Sequence, residues 1–413
     1  GRHGAVRCDP KMKDMRLLQL TPEAALVFQE FMIGKLRKSS RYLTANVMEY
    51  LQQENVRLIT SSRPQSKVQN DYEKSSAWQL PKIEDSFTFA ELFAGLGGFR
   101  LGLEAIGGQC VFASEIHVRA RELYQQNFQH EPHGDIRKVT LDVPKHDILV
   151  AGFPCQPFSA LGPQQGLQDE RGKLFEEILR VLRLRRPGYF LLENVPGLLH
   201  SNQGRDLRII CEAFEDEGYT STIGLLNARG VTAQQRKRVY LVGFLGTKIS
   251  YDFPEMPQMD LVAEDVLDFN LADGSMVHSI SDQQLKQLRT QTRMSRALAW
   301  GDRKLETLIA HYSISVGRGQ SQLVPRLAPH NPRLFTPREC ARIMGFAESY
   351  QLGEGSRDRC KALYSLFGNA VCPPVIAALG ASIFQQREWP HDLGRRTAIA
   401  LALRAVKHVK HGA

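Results

Sequence analysis

From residue 87 onward the chain alternates short apolar runs with stretches of helical periodicity. The runs at 87–94, 109–114, 147–151, 189–192 and 239–244 have the length and bounding residues of buried strands. Between them, 99–106, 119–128, 174–184 and 207–215 read as helices. This alternation predicts an α/β fold, a mainly parallel sheet with helices on both faces. Residues 250–334 break the rhythm with short apolar runs and frequent Gly, Ser, Gln and Arg, and read as a separate small domain. Helical patterns then return, so the α/β domain is expected to comprise 87–249 and 335–386. Residues 1–86 read as a helical extension and linker. Ala25, Phe28, Met32 and Leu36 share one side after a Thr21-Pro22 helix start, and 61–86 is polar and Pro-containing. The tail, 387–413, contains a basic Ala/Leu-rich helix at 397–409.

Composition narrows the function classes. A chain of 413 residues with 42% hydrophobic and 23% charged content can bury a large core. No apolar run approaches the roughly 20 residues of a membrane helix. No N-terminal stretch reads as a secretory signal, because nothing long and apolar follows Lys11-Met12-Lys13. The net charge of +9 fits a polyanionic partner as well as a merely basic soluble protein. The seven cysteines form no CxxC pair, which argues against a zinc site or a disulfide framework and for a reducing, intracellular setting.

In a parallel sheet, ligands sit beyond the carboxyl ends of the strands, so the residues there matter most. The first strand ends in Phe93-Ala94-Gly95-Leu96-Gly97-Gly98, a tight turn into a helix. Its spacing is not GxGxxG, and no phosphate-binding Lys follows. The second ends in Ser114-Glu115-Ile116, an acid placed to accept from ribose hydroxyls. Gly134-Asp135-Ile136 offers an acceptor for an adenine amino group. Together these favour an adenosine-type ligand lacking a pyrophosphate. Strand 147–151 runs into Gly152-Phe153-Pro154-Cys155-Gln156-Pro157, which puts Cys155 on a Pro-flanked turn. A lone Cys is most often a small buried hydrophobe, but this one occupies a nucleophile's position. The Gly- and Gln-rich segment 161–172 reads as a mobile loop able to close over a substrate. Strand 189–192 delivers Glu193-Asn194-Val195, and Gln234-Gln235-Arg236-Lys237-Arg238 precedes the strand at 239–244, with Arg236 and Arg238 on one face.

FxGxGG, PCQ, ENV and QxRxR, in this order, resemble the motif set of the DNA cytosine-5 methyltransferases. The segments Arg333-Leu334-Phe335-Thr336-Pro337-Arg338-Glu339 and Gly368-Asn369-Ala370-Val371 resemble it as well. The likeness covers roughly 87–384. It looks closest to the Dcm type, notably in Ile106-Gly107-Gly108-Gln109-Cys110-Val111-Phe112 and in 334–346.

The resemblance implies a Rossmann-like S-adenosylmethionine-dependent methyltransferase domain, a target-recognition domain at 250–334 and double-stranded DNA as the partner. It implies that Cys155 adds to cytosine C6, that Glu193 holds N3 and the exocyclic amino group, and that Arg238 holds O2 with Arg236 supporting the pocket. Phe93, Gly95, Gly97, Glu115, Ile116, Asp135, Ile136, Pro154, Asn369 and Val371 would hold S-adenosylmethionine, released as S-adenosylhomocysteine. Many relatives have Trp where this chain has Ile116. Ser159, Gln164, Thr307, Arg318 and Gln320 are implied DNA contacts, with Gln322 as a further base reader. Arg289, Arg293, Arg296, Arg303 and Lys304 are candidates for phosphates. Extrusion of the base from the duplex is expected, as are a monomer, no metal, and a workplace in the cytoplasm or nucleoid of a bacterium or the nucleus of a eukaryote. Alternatives at this stage are a tRNA cytosine-5 methyltransferase, whose Cys-Phe-Thr signature is missing from 250–334, a catalytically silent DNA-binding regulator, and a nicotinamide-dependent oxidoreductase, which the glycine spacing disfavours.

Overall fold

The computed structural model describes residues 86–153, 172–246, 251–269, 279–290, 297–299, 301–314, 316, 321–325, 331–353 and 357–385. The expectations for 1–85 and 387–413 lie outside these residues. Four strands run parallel: β1 (Phe87–Leu92), β2 (Gly108–Ser114), β3 (Ile148–Gly152) and β4 (Tyr189–Asn194). Two more complete the sheet, β5 (Tyr219–Asn227) and β6 (Lys237–Leu245), in the order β2-β1-β3-β4-β6-β5. The helices between them are α1 (Gly98–Glu104), α2 (Val118–Phe128), α3 (Ile136–Val139), α4 (Gly172–Arg185) and α5 (Arg205–Asp216).

Two features differ from the sequence reading. Strand β5 was not expected. Its sequence, YTSTIGLLN, is half-buried and rich in Thr, Ser and Gly, as suits an edge strand covered on one face only. Strand β6 runs antiparallel to both β4 and β5, so the sheet is mixed. The reversal matters for the site: the N-terminal end of β6 lies at the same edge as the C-terminal ends of β1 to β4. A parallel β6 would have carried Arg238 to the far side of the molecule.

Strand alternation sorts the core into two layers. Phe87, Phe89, Ile148, Val150, Leu191 and Val242 face one side. There α1 packs on α9 (Pro373–Gln385), and Gly102 and Gly380 leave room for Ile376 and Leu103. Ala90, Leu92, Leu149, Ala151, Phe190, Leu192 and Leu241 face the other side, against Phe175, Ile178 and Val181 of α4 and Ile210 and Phe214 of α5. Residues 360–385 are long and apolar enough to cross a membrane by length and composition, but 78% of that window is buried inside the protein. Their hydrophobicity is accounted for by the core.

The described parts of 251–335 share the first of these clusters, through Tyr251, Val266, Leu305, Leu308, Val316 and Leu323. A buried ion pair anchors the return of the chain to the α/β body. Arg333 Nη1 lies 2.7 Å from Glu339 Oε2, each side chain being 1% exposed. Glu339 also completes a capping box with Thr336 at the start of α7 (Pro337–Met344) and accepts from Asp268 N at 2.7 Å. Helix α8 (Arg357–Asn369) carries Gly368 in its last turn, where a Cβ would meet Ala310 N and Ile309 C, both at 2.2 Å. Those neighbours are backbone and cannot rotate aside. Gly368→Ala is therefore expected to destabilise the protein by at least the roughly 1–3 kcal/mol of a core overpacking, read as a lower midpoint in urea unfolding.

Candidate active site

Glu193 stands at the C-terminal end of β4, paired in register with Gly152 of β3 and Tyr240 of β6. Its Oε1 lies 3.0 Å from Arg238 Nε, an ion pair whose alignment falls short of a sound hydrogen bond. The two side chains are 9% and 13% exposed. Burial raises the Glu193 carboxyl above its ordinary range, and the charges of Arg238 and then Arg236 offset only part of that shift. The carboxyl therefore takes up a proton more readily than a surface glutamate does.

Arg236 serves the site differently from Arg238. It is 1% exposed, and its guanidinium donates to three backbone carbonyls: Leu308 O at 2.8 Å, Gly368 O at 3.0 Å and Ala370 O at 2.7 Å. It therefore ties the start of β6 to the 305–310 segment and to the loop after α8. Gln234 works beside it, donating to Ile343 O at 2.8 Å and accepting from Leu308 N at 3.1 Å. Asn194 donates to Phe153 O at 3.0 Å, which fixes the end of β3 just before Pro154 and Cys155. The sequence reading missed the roles of Gln234 and Asn194. Their signal was their place in the motifs, as the Gln of QxRxR and the Asn of ENV, to which no role was given.

Pro154, Cys155, Ser159, Gln164, Arg318 and Gln320 lie outside the described residues, as does most of the 161–172 loop. The described cysteines still bear on the nucleophile. Burial pushes the Cys110 thiol up to about 12 and the Cys372 thiol to about 11, and it raises Cys211, Cys340 and Cys360 as well. In each, burial disfavours the thiolate, which is the nucleophilic form. Among the described residues, no cluster of His, Cys, Asp or Glu could hold a metal ion.

The turn after β1 has the backbone of a ligand cradle. Phe93, Gly95 and Gly97 all have positive φ, at 55°, 54° and 74°. Glu115 braces it: Oε2 accepts from Gly95 N and Oε1 from His117 N, both at 2.7 Å. A carboxylate has about four acceptor positions, so two stay available to ribose hydroxyls. Ile116 is 65% exposed, an unusual state for so apolar a side chain and a ready surface for a flat ring. Val371 packs against Gly98, whose absent Cβ would stand 2.7 Å from its Cγ2, and Asn369 is exposed beside it. These residues fit an adenosine-type cofactor. Two others act less directly than expected. Asp135 caps α3 and is engaged by Arg137, whose hydrogen bond lowers its carboxyl. The Ile136 side chain is buried and serves packing.

The recognition candidates are also partly turned inward. Thr307 Oγ1 donates to Gln235 O at 2.5 Å, Lys304 Nζ donates to Thr232 O at 2.9 Å, and Gln322 Oε1 accepts from Glu306 N at 2.8 Å. Arg303 is exposed, with a loose 4.0 Å contact to the exposed Asp302, and can meet a phosphate from there.

Comparison with known proteins agrees with this arrangement. The chain is 36% identical over 305 residues to the Type II methyltransferase M.DsaV of Dactylococcopsis salina, covering 70% of this chain and 84% of that one. It is 37% identical over 307 residues to M.NlaX of Neisseria lactamica, covering 71% and 95%. Among solved structures, the Entamoeba histolytica methyltransferase EhMeth shares the fold at a TM-score of 0.57 and 21% identity, covering 74% of this chain and all of that one. The S. pombe Dnmt2 methyltransferase does so at 0.57 and 23%, covering 73% and 98%. The profile of the C-5 cytosine-specific DNA methylases matches residues 87–385, from the first residue of β1 to the last of α9, and the chain belongs to that family.

Proposed function

We propose that this protein methylates C5 of cytosine in double-stranded DNA, with Cys155 as the nucleophile. The observation that carries the reading is the meeting of Glu193 and Arg238, nearly dry, beside the strand end that leads into Cys155. An extruded cytosine has a ring nitrogen, an amino group and a carbonyl along one edge. A protonated carboxyl and a guanidinium side by side complement that edge.

Cytosine C5 is a poor nucleophile until something adds at C6. The Cys155 thiolate forms the S–C6 bond while Glu193 gives its proton to N3, so the ring becomes an enamine without building up a full negative charge. Arg238 holds O2. Burial of Glu193 serves this step, because it favours the protonated form of the carboxyl. The 93–97 turn, Glu115, Ile116 and the 369–371 loop would hold S-adenosylmethionine, which would supply the methyl group as a sulfonium electrophile. Loss of the C5 proton, departure of the Cys155 sulfur as thiolate and return of the N3 proton to Glu193 restore the aromatic ring and leave 5-methylcytosine.

Two features favour DNA over tRNA: the bacterial Type II relatives at more than 30% identity, and the lack of a Cys-Phe-Thr signature in 250–334. The net charge of +9 suits either polyanion. A duplex DNA substrate implies an intracellular workplace, and a single chain carries every residue the reading requires.

Transfer of a labelled methyl group to duplex DNA is expected, with none to tRNA, and Cys155→Ala is expected to abolish it while leaving cofactor binding intact. Label on tRNA alone would move the protein to the RNA branch of the fold. Label that survives in the variant would refute the mechanism. Glu193→Gln keeps the shape of the side chain but cannot give a proton to N3. It is expected to lower the single-turnover methylation rate by about 10²–10⁴-fold, with the dissociation constant for S-adenosylhomocysteine unchanged.

A further inference from the structure

A second buried carboxyl lies behind the cofactor turn, and the chemistry above does not use it. Glu91 sits one residue from the end of β1, between Ala113 of β2 and Val150 of β3, and is 0% exposed. The alternation of β1 puts it on the layer of Phe87 and Phe89, where an apolar residue would be the ordinary choice. Its Oε2 accepts from the hydroxyl of Tyr124, on α2, at 3.0 Å. Its Oε1 has no sound hydrogen-bond partner. An isolated buried carboxyl of this kind costs stability, which invites the question of what it holds.

It holds a ring that shapes the turn. Tyr124 is fully buried, and with Phe128 it forms the wall against Gly97. A Cβ on Gly97 would stand 2.3 Å from Phe128 Cε2 and 3.1 Å from Tyr124 Cε2. On the adjoining residue, Leu96 O accepts from Tyr350 Oη at 2.8 Å. Arg100, on α1, stacks over Phe128 at 4.5 Å and Tyr124 at 5.5 Å. The left-handed backbone at Gly97 thus rests on Phe128 and on Tyr124, whose hydroxyl has Glu91 as its nearest polar partner at 3.0 Å, with Arg100 Nη1 at 3.4 Å and Cys110 Sγ at 3.6 Å farther off.

We infer that Glu91 is a positioning residue for the cofactor: through Tyr124 it fixes the 93–97 turn in the shape that binds S-adenosylmethionine. This rests on the reading of that turn as the cofactor site. The role requires an acceptor for the Tyr124 hydroxyl rather than a negative charge. Burial raises the Glu91 carboxyl to about 8, with Tyr124 and Arg100 offsetting part of the shift. At neutral pH it is therefore mostly protonated.

The surrounding groups leave Glu91 as the one expected to change charge between pH 7 and 9. Burial holds Cys110 up at about 12 and raises Tyr124 and Tyr350 above the ordinary phenol range. Burial and the Arg100 charge lower His130, so it is neutral there. Glu104 is paired with Arg100 at 2.6 Å. Ionising Glu91 places a charge with an unpartnered oxygen inside this cluster, and the cluster must rearrange to accommodate it.

The test is calorimetric binding of S-adenosylhomocysteine from pH 6.5 to 9, together with methylation kinetics, for wild type, Glu91→Gln, Glu91→Ala and Tyr124→Phe. Thermal melts would confirm that each variant is folded. Affinity is expected to fall about five- to tenfold in Tyr124→Phe and Glu91→Ala, the effect of one lost hydrogen bond. KM for S-adenosylmethionine should rise in step, with kcat within about twofold. Glu91→Gln should keep wild-type affinity at pH 7. Wild-type affinity should weaken above about pH 8, and the glutamine variant should not follow it. Folded Glu91→Ala and Tyr124→Phe with unchanged affinity would overturn the inference, as would a kcat loss at unchanged KM or an alkaline decline that persists in Glu91→Gln. A wild type that binds no S-adenosylhomocysteine at all would overturn the cofactor reading and this inference together.

Discussion

Glu193 and Arg238 are held against each other at the edge of the sheet with little water to screen them, and the surrounding fold is arranged to make that contact possible. In bulk water such a pair contributes little. When it is buried, removing the charges from water costs several kcal/mol per ion, and the pair persists only if the fold imposes it. The fold imposes it through strand direction. Parallel β4 delivers Glu193 at its C-terminal end, and antiparallel β6 delivers Arg238 at its N-terminal end, in adjacent registers. The same burial that makes the pair costly raises the Glu193 carboxyl, so the structural cost and the chemical use have one source.

Around that pair, side chains that never reach a substrate hold distant segments together. Arg236 grips carbonyls from 308, 368 and 370, Gln234 bridges 308 and 343, and Gly368 lets two backbones touch. A guanidinium suits this work because its planar fork serves several acceptors at once. The consequence is mechanical. The 305–310 segment and the end of α8 with the loop after it are fastened to the same residue. On the other flank, Asn194 fastens the end of β3. The 93–97 turn is likewise packed from behind, by Tyr124, Phe128 and Tyr350.

Much of this was legible in the sequence, and the exceptions have physical reasons. Short apolar runs and 3.6-residue patterns located five strands and four helices, because both faces of a central sheet must be apolar. Strand β5 escaped because an edge strand buries only one face, and YTSTIGLLN carries little alternation. The direction of β6 escaped because hydrophobic pattern fixes which residues are buried and says nothing of strand polarity. Residue types at strand ends marked Glu115, Glu193 and Arg238. Residue type alone left Arg238, which pairs with a carboxyl, level with Arg236, which binds carbonyls; the family resemblance gave Arg236 its supporting place. That difference depends on which backbone groups other segments leave unpaired. Lys304 and Thr307 show the same limit: read as polar loop residues facing a ligand, they satisfy backbone oxygens at Thr232 and Gln235 instead. Glu91 reads as an ordinary acid in sequence, and only its depth in the sheet sets it apart.

The central claim is a covalent bond between Cys155 and C6 of cytosine, and fluorine at C5 tests it most directly. After methyl transfer, a C5 fluorine cannot leave as a proton does, so the sulfur cannot be expelled and the adduct persists. The protein would be incubated with S-adenosylmethionine and duplex DNA in which cytosine is replaced by 5-fluorocytosine. The products would be resolved on a denaturing gel and the attached peptide sequenced. The account predicts a denaturation-resistant protein–DNA species whose nucleotide is carried on Cys155. A protein that methylates ordinary duplex DNA but forms no such species, or forms it at another residue, would contradict the account.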